Sequence, residues 1–218
     1  MTWPTKTDFV DGDVLTAAQV NNIGTNLNEA DPTGITDGFV LTADGAGGMA
    51  WEAAGGAVEV LASTQASGSV NTITFSSIPS TSRNLKLVIG ATTQTANGTL
   101  RMRFNNDSGG TSYFLNYIAG SNSVVNASRS PGFSSIAIAN MKLVYPVAIV
   151  IDIPDYAGST YKTLTECAAY DDGTTGGYTW IRSATWNSTA AINRIDLFDD
   201  NSNNFASTST FTLYGYGA

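Results

Sequence analysis

The chain has 218 residues, 42% of them hydrophobic and only 13% charged, with 18 acidic and 10 basic side chains for a net charge of −8, and it contains no histidine. So few basic residues argue against a phosphate-tracking, nucleic-acid-binding protein, and the lack of histidine removes Ser-His-Asp and Cys-His catalysis and the usual zinc sites. No apolar run reaches the roughly 18 residues of a membrane span, and the lone Cys167 allows no intrachain disulfide.

Ser, Thr, Asn and Gly make up much of the polar balance, a mixture that suits β-structure with many turns. Surfaces of this kind also suit contact with further copies, because few charges must lose their water. The opening Met-Thr-Trp-Pro lacks the basic and apolar regions of a signal peptide, which predicts synthesis in the cytoplasm.

In chain order, residues 1–14 read as extended, with Trp3, Phe9 and Val10 as candidate docking side chains. A short helix is predicted after Thr16, where Thr16 and Gln19 form a capping-box pattern. Val20, Ile23 and Leu27 then share one face as a candidate seam, which packs on copies of itself, on a different protein or on the chain's own domain. About a dozen residues with an internal Gly24 make a marginal helix in isolation, so a partner is required.

Residues 1–35 are therefore read as an anchoring segment. Residues 36–56 form a Gly/Ala-rich spacer, with a small hairpin of Phe39–Thr42 against Gly48–Glu52 closed by Asp44–Gly47.

Beyond residue 57 the pattern changes to short strands, predicted at 57–62, 70–76, 84–92, 98–105, 112–118, 134–142, 146–153, 161–170, 178–187, 192–198 and 208–215. Leu85, Leu87 and Ile89 share a face. So do Leu100, Met102 and Phe104, with Arg101 and Arg103 opposite, and Val147, Ile149, Ile151 and Ile153 repeat the alternation. Many short strands with no helical period between them predict an antiparallel β-sandwich of jelly-roll type over residues 57–218.

Candidate chemistry is sparse. Cys167 reads as a small buried hydrophobe. The carboxylate pairs Asp152/Asp155, Asp171/Asp172 and Asp199/Asp200 fall at turns, where Asp shapes backbone, so no catalytic residue is assigned and no cofactor is expected. Asp199, Asp200 and Asn201 concentrate oxygen ligands as a weak calcium candidate without EF-hand spacing. Tyr178, Trp180 and Trp186 are candidate ligand-facing aromatics for sugar rings. A place in the core or between subunits is the simpler use of such rings.

Two N-terminal stretches carry a resemblance. Phe9-Val10-Asp11-Gly12-Asp13-Val14-Leu15-Thr16-Ala17-Ala18-Gln19-Val20-Asn21 is similar to the N-terminal motif of tailed-bacteriophage tail-fibre and related virion structural proteins. Val40-Leu41-Thr42-Ala43-Asp44-Gly45-Ala46-Gly47-Gly48-Met49-Ala50-Trp51 resembles a repeat that precedes their distal domains. Arg101–Gly109 followed by Tyr113, and the terminal Phe211–Gly215, are similar to sandwich domains of phage structural proteins.

The resemblance implies a homotrimer, an N-terminus held by other virion proteins of the tail or capsid, and a distal domain directed outward. It also implies residence in the virion after synthesis in the host cytoplasm. The expected function is a short, non-enzymatic fibre-like appendage, of tail or head type, that attaches to a host-surface glycan, with no membrane insertion. The alternatives are a capsid or tail decoration protein that binds no receptor, and a carbohydrate-binding module.

Overall fold

The computed structural model describes residues 39–43, 49–53, 58–121, 124–173 and 176–217. The docking residues Trp3, Phe9 and Val10 and the seam Val20, Ile23 and Leu27, with the helix expected around them, lie outside these residues. The described residues fall into two units that divide between Ala57 and Val58. In the first, β1 (Phe39–Ala43) pairs antiparallel with β2 (Met49–Ala53), with Leu41 opposite Trp51. This is the hairpin expected from the sequence.

The second unit contains β3 (Glu59–Gln65), β4 (Thr72–Ser76), β5 (Asn84–Ala91), β6 (Gly98–Phe104), β7 (Tyr113–Ser121) and β8 (Val124–Phe133). They are followed by β9 (Ile136–Met141), β10 (Val147–Ile153), β11 (Lys162–Asp171), β12 (Gly177–Trp186), β13 (Arg194–Asp199) and β14 (Thr210–Tyr216). The described residues are all-β, in antiparallel pairs and with no helix, so none is long and apolar enough to cross a membrane.

One sheet runs β3-β14-β5-β10-β11-β12-β7-β8 and the other β4-β13-β6-β9. Setting aside the hairpins β7–β8 and β11–β12 leaves eight strands, which in chain order lie 1-8-3-6 in the first sheet and 2-7-4-5 in the second.

All eleven strands expected beyond residue 57 are present, with small shifts at their ends, and β8 is additional. It escaped the sequence reading because it is an edge strand, exposed along almost its whole length, so no alternation marks it. Pro131 and the left-handed Gly132 (φ 77°) are tolerated where no further strand needs their amides.

Burial follows strand parity. Leu85, Leu87 and Ile89 of β5 and Ile149, Ile151 and Ile153 of β10 face Leu100, Met102 and Phe104 of β6 and Ile195 and Leu197 of β13 in one core shared by both sheets. Arg101 and Arg103 lie on the opposite, outer face of β6, as the alternation required.

Cys167 is a correction, because it is exposed. In β11 the inward set is Leu164, Glu166 and Ala168, which turns Cys167 to the outer face. A glutamate holds the inward position because Arg182 of β12 lies opposite it in register, and the two form a buried ion pair at 3.0 Å. The Arg182 Nη1 also donates to the carbonyls of Ala137 and Ile138 in β9.

Since β9 ends the four-stranded sheet, those carbonyls have no further strand to accept from, and the guanidinium takes that place. Its Cζ also lies 5.9 Å from the centroid of the Tyr117 ring in β7.

A second polar node closes the other end of the core. The Trp186 indole N–H donates to Asp107 Oδ2 at 2.7 Å, while the Gly109 amide and the Ser112 hydroxyl donate to Oδ1 at 2.9 and 2.8 Å. The buried Tyr113 hydroxyl donates to the Asp107 carbonyl at 3.1 Å and accepts from the Phe104 amide at 2.9 Å. Partial burial pushes the Asp107 carboxyl up, but the hydrogen bonds from Trp186, Gly109 and Ser112 outweigh it and hold the carboxyl below its ordinary value. Stability from Asp107 is therefore present above the ordinary Asp range and is lost as pH falls through its lowered pKa. Asp107→Ala is expected to cost about 2–3 kcal/mol at neutral pH, read from urea unfolding, because it strands a buried indole donor.

Burial pushes the Glu166 carboxyl up to about 7 despite the opposing pull of Arg182. A raised carboxyl binds a proton more tightly in the folded than in the unfolded chain. Its contribution is thus full below the ordinary Glu value of 4.5 and is lost as pH rises through about 7. Glu166→Gln removes that titration, so the melting temperature of the variant relative to the parent should rise between these two pH values. Parallel melting curves across that window would exclude the coupling.

Candidate functional site

The register shows where each strand enters and leaves. Gly215 of β14 pairs Glu59 of β3 and Leu85 of β5, and Ile153 of β10 also pairs Leu85, so the chain enters this unit at that end of the sheet. At the opposite end Ala91 pairs Val147, Ala148 pairs Ala169, Asp171 pairs Gly177, and Ser121 pairs Val124. In the second sheet Gly98 pairs Met141 at this same far end. The connections at 92–97, 142–146 and 172–176 therefore gather away from Val58 and carry the candidate site.

Lys142, Leu143, Val144 and Tyr145 form the tight link between β9 and β10, and Leu143, Val144 and Tyr145 leave their apolar side chains exposed. With Asn97 and Asp172 they line a depression of about 210 Å3. A larger, open depression of about 590 Å3 adjoins the β11–β12 turn, lined by Tyr170, Asp171, Gly177, Tyr178 and Thr179 with Gly120.

Lys142 Nζ lies 5.2 Å from the Tyr170 ring centroid. Tyr178 stacks on Trp180 at 5.4 Å and 13°, and both rings contact Tyr170 at 5.7 and 5.9 Å. Side-chain bonds hold the described residues that flank this turn. Asp171 Oδ1 accepts from the Gly173 amide at 2.8 Å and Asp172 Oδ1 from the Gly176 amide at 2.9 Å. Gly173 adopts φ 69°, which favours glycine. Aromatic faces, carboxylates and an amide side by side can stack on and hydrogen-bond a hydroxyl-rich ring.

The three aromatics singled out in the sequence do not form one platform. Trp180 and Trp186 are both buried, on the one face that their even spacing requires, but they lie six residues or roughly 20 Å apart along β12. Trp186 belongs to the Asp107 node at the entry end. Trp180 lies under Tyr178 as support, and Tyr178 alone is half-buried at the rim. Parity places all three rings on the inward face of β12, and burial closes that face to ligands at both indoles.

The calcium candidate folds as a turn. Asp199 Oδ1 accepts from the Asn201 and Asn203 amides, both at 2.9 Å, and from Asn203 Nδ2 at 3.0 Å. The Asp199 Oδ2 is buried without a hydrogen-bond partner, and a Cβ on Gly98 would come within 1.8 Å of it. Asp200 accepts from the Thr99 amide at 2.9 Å and pairs Arg101 at 3.2 Å, while Asn201 itself stays exposed. Asp152 pairs Lys86 at 3.3 Å and accepts from the Tyr216 hydroxyl at 3.1 Å. The carboxylates with contacts thus hold backbone or balance a cation.

A further cleft, of about 130 Å3, lies between Tyr117, Phe133, Arg101 and Arg182. Its two guanidiniums are already matched by Asp200 and Glu166.

Sequence reasoning missed Asn97, Lys142, Leu143, Val144 and Tyr145. The available signal was a run of apolar residues before Pro146 in a connection too short to bury them. The supporting and rim roles of the two stacked rings separate by stability. Trp180→Ala should cost about 3–5 kcal/mol. Tyr178→Ala should cost about 1.5 kcal/mol or less, with both measured by urea unfolding. Against this geometry, no family model, no curated protein and no solved structure matches the chain.

Proposed function

We propose that the chain is a non-enzymatic virion protein of a tailed bacteriophage, a short fibre-like appendage held to the particle through residues 1–35. In this reading residues 58–217 are displayed outward for attachment to a host-surface glycan. The wiring of eight strands as 1-8-3-6 over 2-7-4-5 supports a jelly-roll sandwich, widened by two hairpins, as the displayed module.

The observation that carries the reading is the polarity of that module. The chain enters at one end of the sheet, and the exposed Leu143, Val144 and Tyr145, with Tyr178 and Asp171, gather at the other. This loop end is the end of the module remote from Val58, where the preceding residues join it. The order of the two N-terminal motifs before a β-only module supports the same arrangement. Asp171, Asp172 and Asp199 are engaged by turn amides, which favours binding over hydrolysis as their use. Association as a homotrimer would let weak individual contacts add, because the second and third contacts become intramolecular.

Particles that carry Tyr145→Ser or Tyr178→Ser test the reading. They should contain the normal amount of the chain but adsorb to cells about tenfold more slowly, the loss expected when about 1.4 kcal/mol of stacking is removed. Unchanged adsorption together with weaker particle stability would favour a decoration protein. Binding of glycan by the chain with no association with particles would favour a free carbohydrate-binding module. Glycan cleavage that disappears in Asp171→Asn would overturn the non-enzymatic assignment.

A further inference from the structure

The outer face of the eight-stranded sheet carries a stripe of uncharged, largely apolar residues across six adjacent strands. In direct register, Val88 lies beside Val150, Val150 beside Cys167, Cys167 beside Ile181, Ile181 beside Ile118 and Ile118 beside Ala127. None of these side chains is covered: Ile181 is 65% and Ile118 56% exposed. The adjoining row toward the loop end holds Gly90, Ala148, Ala169, Thr179, Gly120 and Val125, again without charge, and Val125 is 76% exposed; Ala169, Thr179 and Gly120 also line the open depression at the β11–β12 turn, so a second copy seated here would border that depression.

Charge returns in the rows on either side. Toward the entry end Lys86 and Asp152 neutralise each other at 3.3 Å and Arg129 stands on the edge strand, and toward the loop end Asp171 follows Ala169 on the same face. The outer face of the other sheet differs, with Arg101, Arg103, Arg194 and Asp196 on neighbouring strands.

From these observations we infer that the stripe is the surface on which a second copy of this chain packs. The inference rests on the sheet face alone and not on the proposed function. Six strands at about 4.8 Å and two rows about 7 Å deep cover about 400 Å2 in plan. That is as large as the biggest apolar patch of an ordinary monomer, and it is the size of an interface core that reaches about 800 Å2 per partner once a polar rim is added.

Charge selects the occupant. Copies of net charge −8 repel wherever charged surfaces face each other, and this stripe lets them meet with no charge to desolvate. A partner recognised by its charge would find nothing here to bind. Gly90, Gly120, Ala148 and Ala169 remove side-chain bulk, so a second sheet can approach to the usual spacing of about 10 Å.

Cys167, the only cysteine of the chain, stands in the middle of the stripe and reports on its cover. The experiment combines light scattering of the full-length chain over a dilution series with the rate of maleimide labelling at Cys167. It is made on the parent, on Ile181→Lys and on Val125→Lys, each with its melting temperature recorded.

The expected result is a multiple of 22.8 kDa for the parent, with labelling about tenfold slower than in the urea-unfolded chain. Either lysine variant should raise the dissociation constant about a hundredfold and restore fast labelling at an unchanged melting temperature. A second variant at an edge-strand position keeps the test decisive if one of the two folds poorly.

A monomer with fast labelling would overturn the inference by showing a bare face. A monomer with slow labelling would overturn it too, because residues of the same chain then cover the stripe. An oligomer that survives both substitutions would place the interface elsewhere.

Discussion

An eight-stranded sheet cannot be covered by a four-stranded one, and the structure depends on how that mismatch is closed. Strand β9, which packs against β10, β11 and β7, ends the smaller sheet with carbonyls that have no neighbouring strand. Arg182 reaches from β12 to the Ala137 and Ile138 carbonyls and so substitutes for the missing strand. Glu166 in register beside it supplies the countercharge, and Tyr117 covers the guanidinium. Removal of the Arg182 charge would leave Glu166 without the cation that opposes the cost of its burial. The Arg182 Nε, buried without a partner, shows that the fit is incomplete even so. The pair's value is in defining where the wide sheet meets the narrow one.

With that edge closed, the two ends of the module take different characters. At the entry end the Asp107 node ties Trp186, Gly109 and Ser112 together, with Tyr113 on its carbonyl, and leaves few groups free to contact anything else. At the far end the connections are short, and their apolar side chains have no core to enter, so Leu143, Val144 and Tyr145 remain exposed beside Asn97 and Asp172. Tyr178 belongs to both regimes. Its ring is supported from below by Trp180 and open at the rim, and such pre-organisation lowers the entropy lost when a ligand binds.

The same parity that makes the core leaves its imprint outside. Each inward residue of β10, β11, β12 and β7 forces an outward one between, and on these strands the outward residues are Val150, Cys167, Ile181 and Ile118. A solvated antiparallel face usually carries polar residues at such positions. Here an uncharged stripe runs across the sheet while the other sheet keeps its arginines, so the two outer surfaces of the module are chemically unlike.

Much of this was legible in the sequence. Alternation in Leu85–Ile89, Leu100–Phe104 and Val147–Ile153 depends only on the period of a strand, and those residues form the core with Arg101 and Arg103 outside. The hairpin Phe39–Ala43 with Met49–Ala53 was readable from its glycine-rich turn. Strand β8 was not, since an exposed edge has no apolar period to read. Nor was the inward place of Glu166 or the outward place of Cys167. A carboxylate enters a core only when a guanidinium is opposite it, and that neighbour lies on another strand. Composition and local period therefore determined the β-structure beyond residue 57, its strand positions and most of its core. Strand order, the ion pair that closes the wide sheet, the gathering of Asn97, Tyr145 and Tyr178 at one end and the uncharged outer stripe were decided by tertiary pairing. Each of these is a relation between residues far apart in the chain, and no local pattern encodes which strands become neighbours.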